Sequence, residues 1–412
     1  MIDLFKIEAN YIDIFNKEIY PASITIANGH IASIEKINAT LDEYVLPGFV
    51  DAHIHIESSF LIPSNFAHLV VKHGTVATIN DPHEIANVNG IDGINFMINN
   101  SKKTKFKFFF GAPSCVPALS PEFETSGYIL NDKDIDELMK LDDIYYLAEV
   151  MDFKGVINKD VEIINKINSA LKRNKVVDGH APGLSSPNLT LKYASLGINT
   201  DHECLTIEDA RYKLSLGMKI IIREGSAAKN FESLHPLISE CSKKYCDSLM
   251  FCFDDSHPND ILNGHINLIV ARAIEHGHGF FDVLKIACIN PVLHYKIPVG
   301  LLRIGDPADF IITKDIKTFK IDKTYINGKL VFNDGISLIP LINEIPINNF
   351  NCSEKSILDF KFSTKNKMIP VINYISNQII AHKTMINSNL LAPDFQSNIA
   401  RRYFKNSYNK SI

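Results

Sequence analysis

Short apolar runs alternate with amphipathic segments through the middle of the chain, from Gly74 to Phe253. The runs are rich in β-branched and aromatic residues, as strands are, and the segments between them carry apolar residues at helical spacing. The runs lie at residues 44–55, 75–80, 105–111, 144–150, 174–179, 198–202, 219–224 and 248–254. Eight strand–helix units predict an α/β fold with a closed, TIM-like (β/α)8 barrel, and the doubly wound open sheet is the alternative.

The clearest helix candidates between the runs are residues 160–174, 207–217 and 231–246. After the eighth run, residues 267–295 predict further helix, interrupted at Asn290-Pro291. A proline inside a helical pattern removes a backbone donor and ends or bends the helix.

The two ends of the chain alternate apolar and polar residues around predicted tight turns at Asn28-Gly29, Asn327-Gly328 and Asn333-Asp334-Gly335. These turns favour antiparallel hairpins. Because a few isolated strands are only marginally stable, we expect both ends to pack together as one small β-sandwich domain beside the barrel. The predicted division is 1–44 and 308–345 for the small β domain, 45–307 for the barrel, and 346–412 for an incomplete C-terminal region with a partly disordered tail.

Composition restricts the class of protein. Hydrophobic residues make up 46% of the chain and charged residues 22%, which is ordinary for a globular protein. The net charge is −5, with acids and bases interspersed, so no nucleic-acid partner is expected. No apolar run is long enough to span a membrane, and no leader pattern opens the chain, so we expect no membrane association and a cytoplasmic location. The seven scattered cysteines include no C-x-x-C pair, which fits reduced thiols in that compartment.

The strongest chemical signal is Asp51-Ala-His53-Ile-His55, at the end of an apolar run. Side chains two residues apart on a strand point to the same face, so two imidazoles can converge on one ion. A single buried histidine is usually only a packed, hydrogen-bonded residue. A pair alternating at a strand end favours metal binding.

Further metal-ligand candidates lie at or just after the ends of other runs, where barrel active sites are built. They are Glu149, His180, His202 and the acids Asp254 and Asp255. Four imidazole nitrogens with two carboxylates suit a pair of divalent transition ions better than calcium or magnesium, and a single zinc would leave ligands unused.

Several segments together resemble the signature segments of the adenine deaminases, within the amidohydrolase superfamily. They are PGFVDAHIHIESS, GTVATINDPHEIANV, APSCVPA, LAEVMDFKGVI, DGHAPGL, TDHEC, GMKIIIREGSAAKN and FCFDDSHPNDILNGHI. The resemblance implies hydrolysis of adenine to hypoxanthine and ammonia with a binuclear Mn²⁺ or Fe²⁺ centre, Zn²⁺ being the other choice. It implies that the ligands are His53, His55, Glu149 as the bridging carboxylate, His180, His202 and Asp254.

Asp255 stays open as the alternative to Asp254, since adjacent residues on a strand face opposite ways and only one is expected in the barrel mouth. The metals would lower the pKa of water to about 7 and supply hydroxide for attack at C6 of adenine, with Asp254 as base. His83, Glu84 and Glu224 are candidate proton donors to the ring and the leaving amine. Ser114, Arg223, Glu224 and Ser226 are candidates for contacts with the purine edge, or else structural salt bridges and loop caps.

Two other functions remain open. Amidohydrolases acting on cyclic amides commonly carry a carboxylated lysine on the fourth strand, whereas IYYLAEVMDF has Glu149 and no lysine there. A shortened, inactive homologue acting as a subunit or scaffold is the alternative from another class, because adenine deaminases extend into a further C-terminal region. We expect adenine as the small-molecule substrate, purine salvage as the role, and a homo-oligomer.

Overall fold

A computed structural model describes residues 4–118, 124, 126–240, 244–348, 353–356, 365–375 and 378–388. The chain begins with three antiparallel strands, β1 (Leu4–Asp13), β2 (Glu18–Ala27) and β3 (His30–Lys36), and a short fourth strand, β4 (Tyr44–Pro47). Asn28 and Gly29 both have positive φ (51° and 79°), as a two-residue hairpin turn that follows strand twist requires. The predicted turn at this position is confirmed.

A parallel barrel follows. Its strands are β5 (Phe49–His55), β6 (Thr75–Asn80), β7 (Lys107–Pro113), β8 (Ile144–Val150), β9 (Val176–Gly179), β10 (Thr200–Asp201), β11 (Lys219–Arg223) and β12 (Leu249–Cys252), with β13 (Asp254–Asp255) continuing the last. Strand β13 pairs in parallel with β5, so the ring closes. Between β9 and β10 the backbone N–H of Asn199 donates to the carbonyl of Val177 (2.8 Å). The barrel predicted from the eight runs is confirmed.

Helices surround the barrel. They are α1 (Pro63–Val70), α2 (His83–Ser101), α3 (Asp132–Leu138), α4 (Phe153–Asn158), α5 (Val161–Leu171), α6 (Pro187–Ala194), α7 (Ile207–Ser215), α8 (Phe231–Leu234), α9 (Pro236–Glu240), α10 (Pro258–Asn263), α11 (Ile266–Glu275), α12 (Phe280–Leu284) and α13 (Asn290–Tyr295). The helix predicted over 231–246 is divided at His235, because Pro236 cannot continue the hydrogen-bond ladder. Residues 241–243 of that prediction lie outside the described residues.

Both ends of the chain contribute to one eight-stranded sheet. After the barrel come β14 (Phe310–Thr313), β15 (Lys323–Ile326), β16 (Lys329–Asn333) and β17 (Ile336–Ser337), and the strand order is β17-β16-β15-β14-β4-β1-β2-β3. Strand β4 joins this sheet and not the barrel, although the sequence runs it directly into β5. Its residues pair with β1 and β14 instead. Phe310 and Tyr11 lie in the separate apolar core of this sheet.

A separate hairpin, β18 (Met368–Tyr374) and β19 (Ala381–Asn387), lies in the predicted C-terminal region. The tail predicted to be partly disordered, 395–412, lies outside the described residues. Within the part of the chain that is described, no helix combines the length and apolar character needed to cross a membrane.

Candidate metal centre

The end of β5 brings two imidazoles together inside the barrel. All seven residues of β5 are buried, and the Nε2 atoms of His53 and His55 lie 3.1 Å apart. Nδ1 of His55 lies 3.0 Å from the backbone carbonyl oxygen of Asp81. Donation from Nδ1–H to that carbonyl leaves the lone pair on Nε2, which is the nitrogen that faces the site.

Glu149, at the end of β8, lies between the imidazoles of β5 and those that follow β9 and β10. Its Oε1 lies 2.7 Å from Nε2 of both His53 and His55. Its Oε2 lies 2.8 Å from Nδ1 of His180 and 3.9 Å from Nε2 of His202. One buried carboxylate therefore contacts imidazoles from three further strand ends, which is the position required of a bridging ligand.

Asp254 lies on β13, which pairs in parallel with β5. Its Oδ1 is 3.3 Å from Nε2 of His55, and its Oδ2 is 2.5 Å from the guanidinium of Arg223. Asp255 accepts a hydrogen bond from Ser58 (2.5 Å). Both acids nevertheless have an oxygen within 4.8 Å of a His55 nitrogen.

The expectation that only one of these acids enters the barrel mouth is therefore not met. Asp254 has a φ of 52°, a left-handed backbone conformation that bends the strand and removes the strict alternation of faces. Such a conformation is costly for a residue other than glycine and tends to occur at functional sites.

The donor set fits a pair of divalent transition cations. One group of ligand atoms within 4.8 Å of one another comes from His53, Glu149, His202 and Asp254, and another comes from His180, His202 and Glu203. Nδ1 of His53 is buried without a hydrogen-bond partner. Buried polar atoms are normally satisfied, and mixed imidazole and carboxylate donors are those that such cations prefer.

The electrostatics of the site also favour a bound cation. Burial raises the pKa of Glu149, but the imidazoles of His53, His55 and His180 outweigh it and hold that pKa well below its usual range. Burial lowers the pKa of His180, yet Glu203 and Glu149 raise it to about 9. Acidic oxygens thus draw positive charge onto the imidazoles, and cation binding would replace those protons.

Glu203 is a site residue that the sequence analysis missed. Its Oε1 lies 3.3 Å from both His180 Nδ1 and His202 Nε2, and it pairs with both terminal nitrogens of Arg223 (2.5 and 2.6 Å). Burial raises the pKa of Glu203, but Arg223 and the imidazoles lower it to about 2. No sequence pattern marked it, because a residue directly after His202 on a strand is expected to face away from the site.

Asp51, His265 and Thr75 form a second group that the sequence did not predict, and it orients the ends of β5 and β12. Asp51 accepts hydrogen bonds from the backbone N–H groups of His53 and Phe253 (both 3.2 Å). Its other oxygen lies 2.9 Å from Nε2 of His265, whose Nδ1 lies 2.7 Å from the hydroxyl of Thr75. These residues fix the loops that carry the ligands.

His83 and Glu84 open α2 at the edge of the centre. The rings of His83 and His55 are 4.5 Å apart, and Nδ1 of His83 lies 3.1 Å from Oδ2 of Asp81. Nε2 of His83 is 3.6 Å from Oε1 of Glu84. Burial lowers the pKa of His83, but Asp81 and Glu84 outweigh it and raise that pKa well above its usual range.

The four residues predicted to contact the purine edge have protein partners. The hydroxyl of Ser114 donates to the backbone carbonyl of Glu149, and Arg223 is occupied by Glu203 and Asp254. Glu224 faces away from the imidazoles, 2.8 Å from Arg272. Ser226, half-buried in the loop after β11, donates to Asp260 and accepts from the backbone of His257.

Comparison with known proteins identifies the family of the chain. The sequence model of the amidohydrolase family matches residues 44–331. In structure, the chain resembles a β-aspartyl dipeptidase of Fervidobacterium islandicum AW-1, with a TM-score of 0.61 and 15% identity, over 83% of this chain and all of that one. That likeness concerns the fold alone. The chain belongs to the amidohydrolase family, a class of metal-dependent hydrolases.

Its branch within that family is that of the adenine deaminases. An adenine deaminase of Borreliella burgdorferi is 93% identical over 98% of this chain and 74% of its own length. An adenine deaminase of Borreliella afzelii is 87% identical over the same shares of the two chains. The resemblance drawn from the sequence segments is confirmed.

Proposed function

We propose that this chain hydrolyses adenine to hypoxanthine and ammonia, with two Mn²⁺ or Fe²⁺ ions as cofactor and Zn²⁺ as the other choice. One observation carries the proposal: Glu149 contacts imidazoles with both of its oxygens, in a chain 93% identical to a relative named adenine deaminase. The proposed metal ligands are His53, His55, Glu149, His180, His202 and Asp254.

The cations, when bound, would lower the pKa of water and so supply a nucleophile at neutral pH. Oδ2 of Asp254 is held by Arg223, and its Oδ1 lies 3.3 Å from Nε2 of His55. We propose that this Oδ1 accepts the proton that water loses as the water oxygen bonds to C6 of adenine. Arg223 would act as a positioning residue and would not contact the purine, because both of its terminal nitrogens are paired with carboxylates.

Protons must also reach the substrate. As C6 becomes tetrahedral, its electrons move to a ring nitrogen, which takes up a proton, and the exocyclic amine needs another before it leaves as ammonia. His83 is anchored through Nδ1 on Asp81, so Nε2 is the nitrogen that we assign to this transfer, with Glu84 beside it. Ser226 remains the candidate for a contact at the purine edge.

We further propose that the enzyme acts in purine salvage, in the cytoplasm and as a homo-oligomer. Support for the compartment comes from buried thiols at Cys115, Cys204, Cys252 and Cys288, none of them in a disulfide. A reducing compartment keeps such thiols intact.

The test is a substrate panel on protein loaded with Mn²⁺ or Fe²⁺. Adenine loss, hypoxanthine formation and ammonia release are followed beside turnover of a dihydropyrimidine and a hydantoin. Equal formation of hypoxanthine and ammonia from adenine alone is expected. Turnover of a cyclic amide without turnover of adenine would move the assignment to another amidohydrolase activity.

A further inference from the structure

A cluster of imidazoles lies apart from the strand-end centre, on helices outside the barrel. Glu232 and His235 belong to α8 and the residue that follows it, and His276 follows α11. One ligand atom from each of the three lies within 4.8 Å of the other two. We infer that Glu232, His235 and His276 form a second, peripheral site for a divalent transition cation such as Zn²⁺.

The spacing of the cluster leaves room for a cation between Glu232 and His276. Nε2 of His276 and Oε1 of Glu232 are 3.9 Å apart, which is too far for a direct hydrogen bond. The rings of His235 and His276 approach with centroids 4.3 Å apart. Two imidazoles and a carboxylate therefore face one another at a spacing that a cation can bridge, and these donor types suit zinc.

A fourth residue, His278, orients His235. Nε2 of His278 lies 3.0 Å from Nδ1 of His235, and its Nδ1 lies 2.8 Å from the hydroxyl of Ser239. We assign the protons so that His278 Nδ1–H donates to Ser239 and His235 Nδ1–H donates to His278 Nε2. The lone pair of His235 is then on Nε2, the nitrogen left for the cation. Metal-binding histidines commonly have such a partner on the other nitrogen.

Some charged groups around this cluster favour cation binding and others oppose it. Burial and the neighbouring imidazole of His276 lower the pKa of His235, and burial likewise lowers that of His278, so few protons compete with a cation at neutral pH. Arg272 opposes the cation, since it donates to Glu232 and lies over the ring of Phe231 (4.6 Å). The peripheral site is therefore expected to be weaker than the buried centre.

The test uses the whole chain with its buried centre loaded with Mn²⁺ and excess metal removed. Zn²⁺ is titrated by calorimetry, and bound Mn²⁺ and Zn²⁺ are counted before and after. One additional Zn²⁺ per chain is expected, with Mn²⁺ retained. His276→Asn should weaken Zn²⁺ binding at least tenfold, and His278→Asn by roughly 10- to 100-fold, as loss of a supporting partner does.

The matched control is His30→Asn, which changes an exposed histidine on β3 far from the cluster and should titrate like the wild type. Retained Mn²⁺ shows that each variant keeps its barrel. The inference is overturned by Zn²⁺ uptake that releases an equal amount of Mn²⁺, by the absence of a saturable Zn²⁺ site, or by equal binding in wild type and His276→Asn. Equal losses in His276→Asn and His30→Asn would also overturn it.

Discussion

Replacing Arg223 with methionine tests whether one guanidinium holds two carboxylates of the site in place. Arg223 is 2% exposed, and its two terminal nitrogens lie 2.5 and 2.6 Å from the oxygens of Glu203. The first nitrogen also lies 2.5 Å from Oδ2 of Asp254. Methionine fills a similar volume without charge, so both acids would be left buried without their cation.

The expected cost follows from the burial of the ion pairs. Removing one partner of a buried pair typically costs about 3–5 kcal/mol, most of it from the charge left behind. Arg223→Met should therefore lower the free energy of unfolding by about that amount. Arg223→Lys should lie between wild type and methionine, because lysine keeps the charge but lacks the two-pronged geometry.

The assay is urea unfolding of metal-free protein, since bound cations would add their own stabilisation. A double-mutant cycle that combines Arg223→Met with Glu203→Gln measures the interaction energy between the two side chains. The double variant should be about 1–3 kcal/mol more stable than the sum of the two single losses predicts. A loss below 1 kcal/mol in Arg223→Met, or strict additivity in the cycle, would refute the reasoning.

Three further outcomes are expected. Glu149→Gln should lower bound metal below two ions per chain, because a neutral amide bridges cations poorly; wild-type metal content measured at matched free metal would contradict its bridging role. Asp254→Asn should reduce the rate of adenine deamination by roughly 10²- to 10⁴-fold, and this loss should exceed the loss of metal. If Asp255→Asn abolishes deamination while Asp254→Asn stays near wild type, Asp255 is the base. Burial lowers the pKa of His73 to about 3. Below pH ~6.5 this histidine is therefore protonated in the unfolded chain and neutral in the folded chain. Its contribution lowers the free energy of unfolding by about 1.4 kcal/mol for each pH unit of acidification. His73→Gln should remove that slope while keeping the hydrogen bond to Ile261, and equal losses of urea stability from pH 7 to pH 5 in variant and wild type would contradict it.

Local patterns in the sequence predicted much of the architecture. Strands β6 and β8 coincide with the apolar runs 75–80 and 144–150, because buried parallel strands read as continuous apolar segments. The alternation of His53 and His55 correctly placed both imidazoles on one face. These features depend on neighbours within a few residues, which is the range over which periodicity carries information.

Other features depend on contacts between distant parts of the chain. Strand β4 looks continuous with β5, and only its pairing with β1 and β14 assigns it to the other sheet. The alternation of side chains along a strand does not predict the left-handed φ of Asp254. Because of that φ, both adjacent acids lie near His55. Glu203 was missed for a related reason, since a residue next to a predicted ligand on a strand is expected to face away.

We propose that cations held around Glu149 make this chain active as an adenine deaminase. The most direct test adds Mn²⁺ stepwise to metal-free protein and measures bound metal and the initial rate of ammonia release from adenine in the same samples. We expect a rate that rises with occupancy and levels off at two ions per chain, with one hypoxanthine formed for each ammonia. Full occupancy by two ions without hypoxanthine formation would contradict it and favour a scaffold that has kept the metal site but not the reaction.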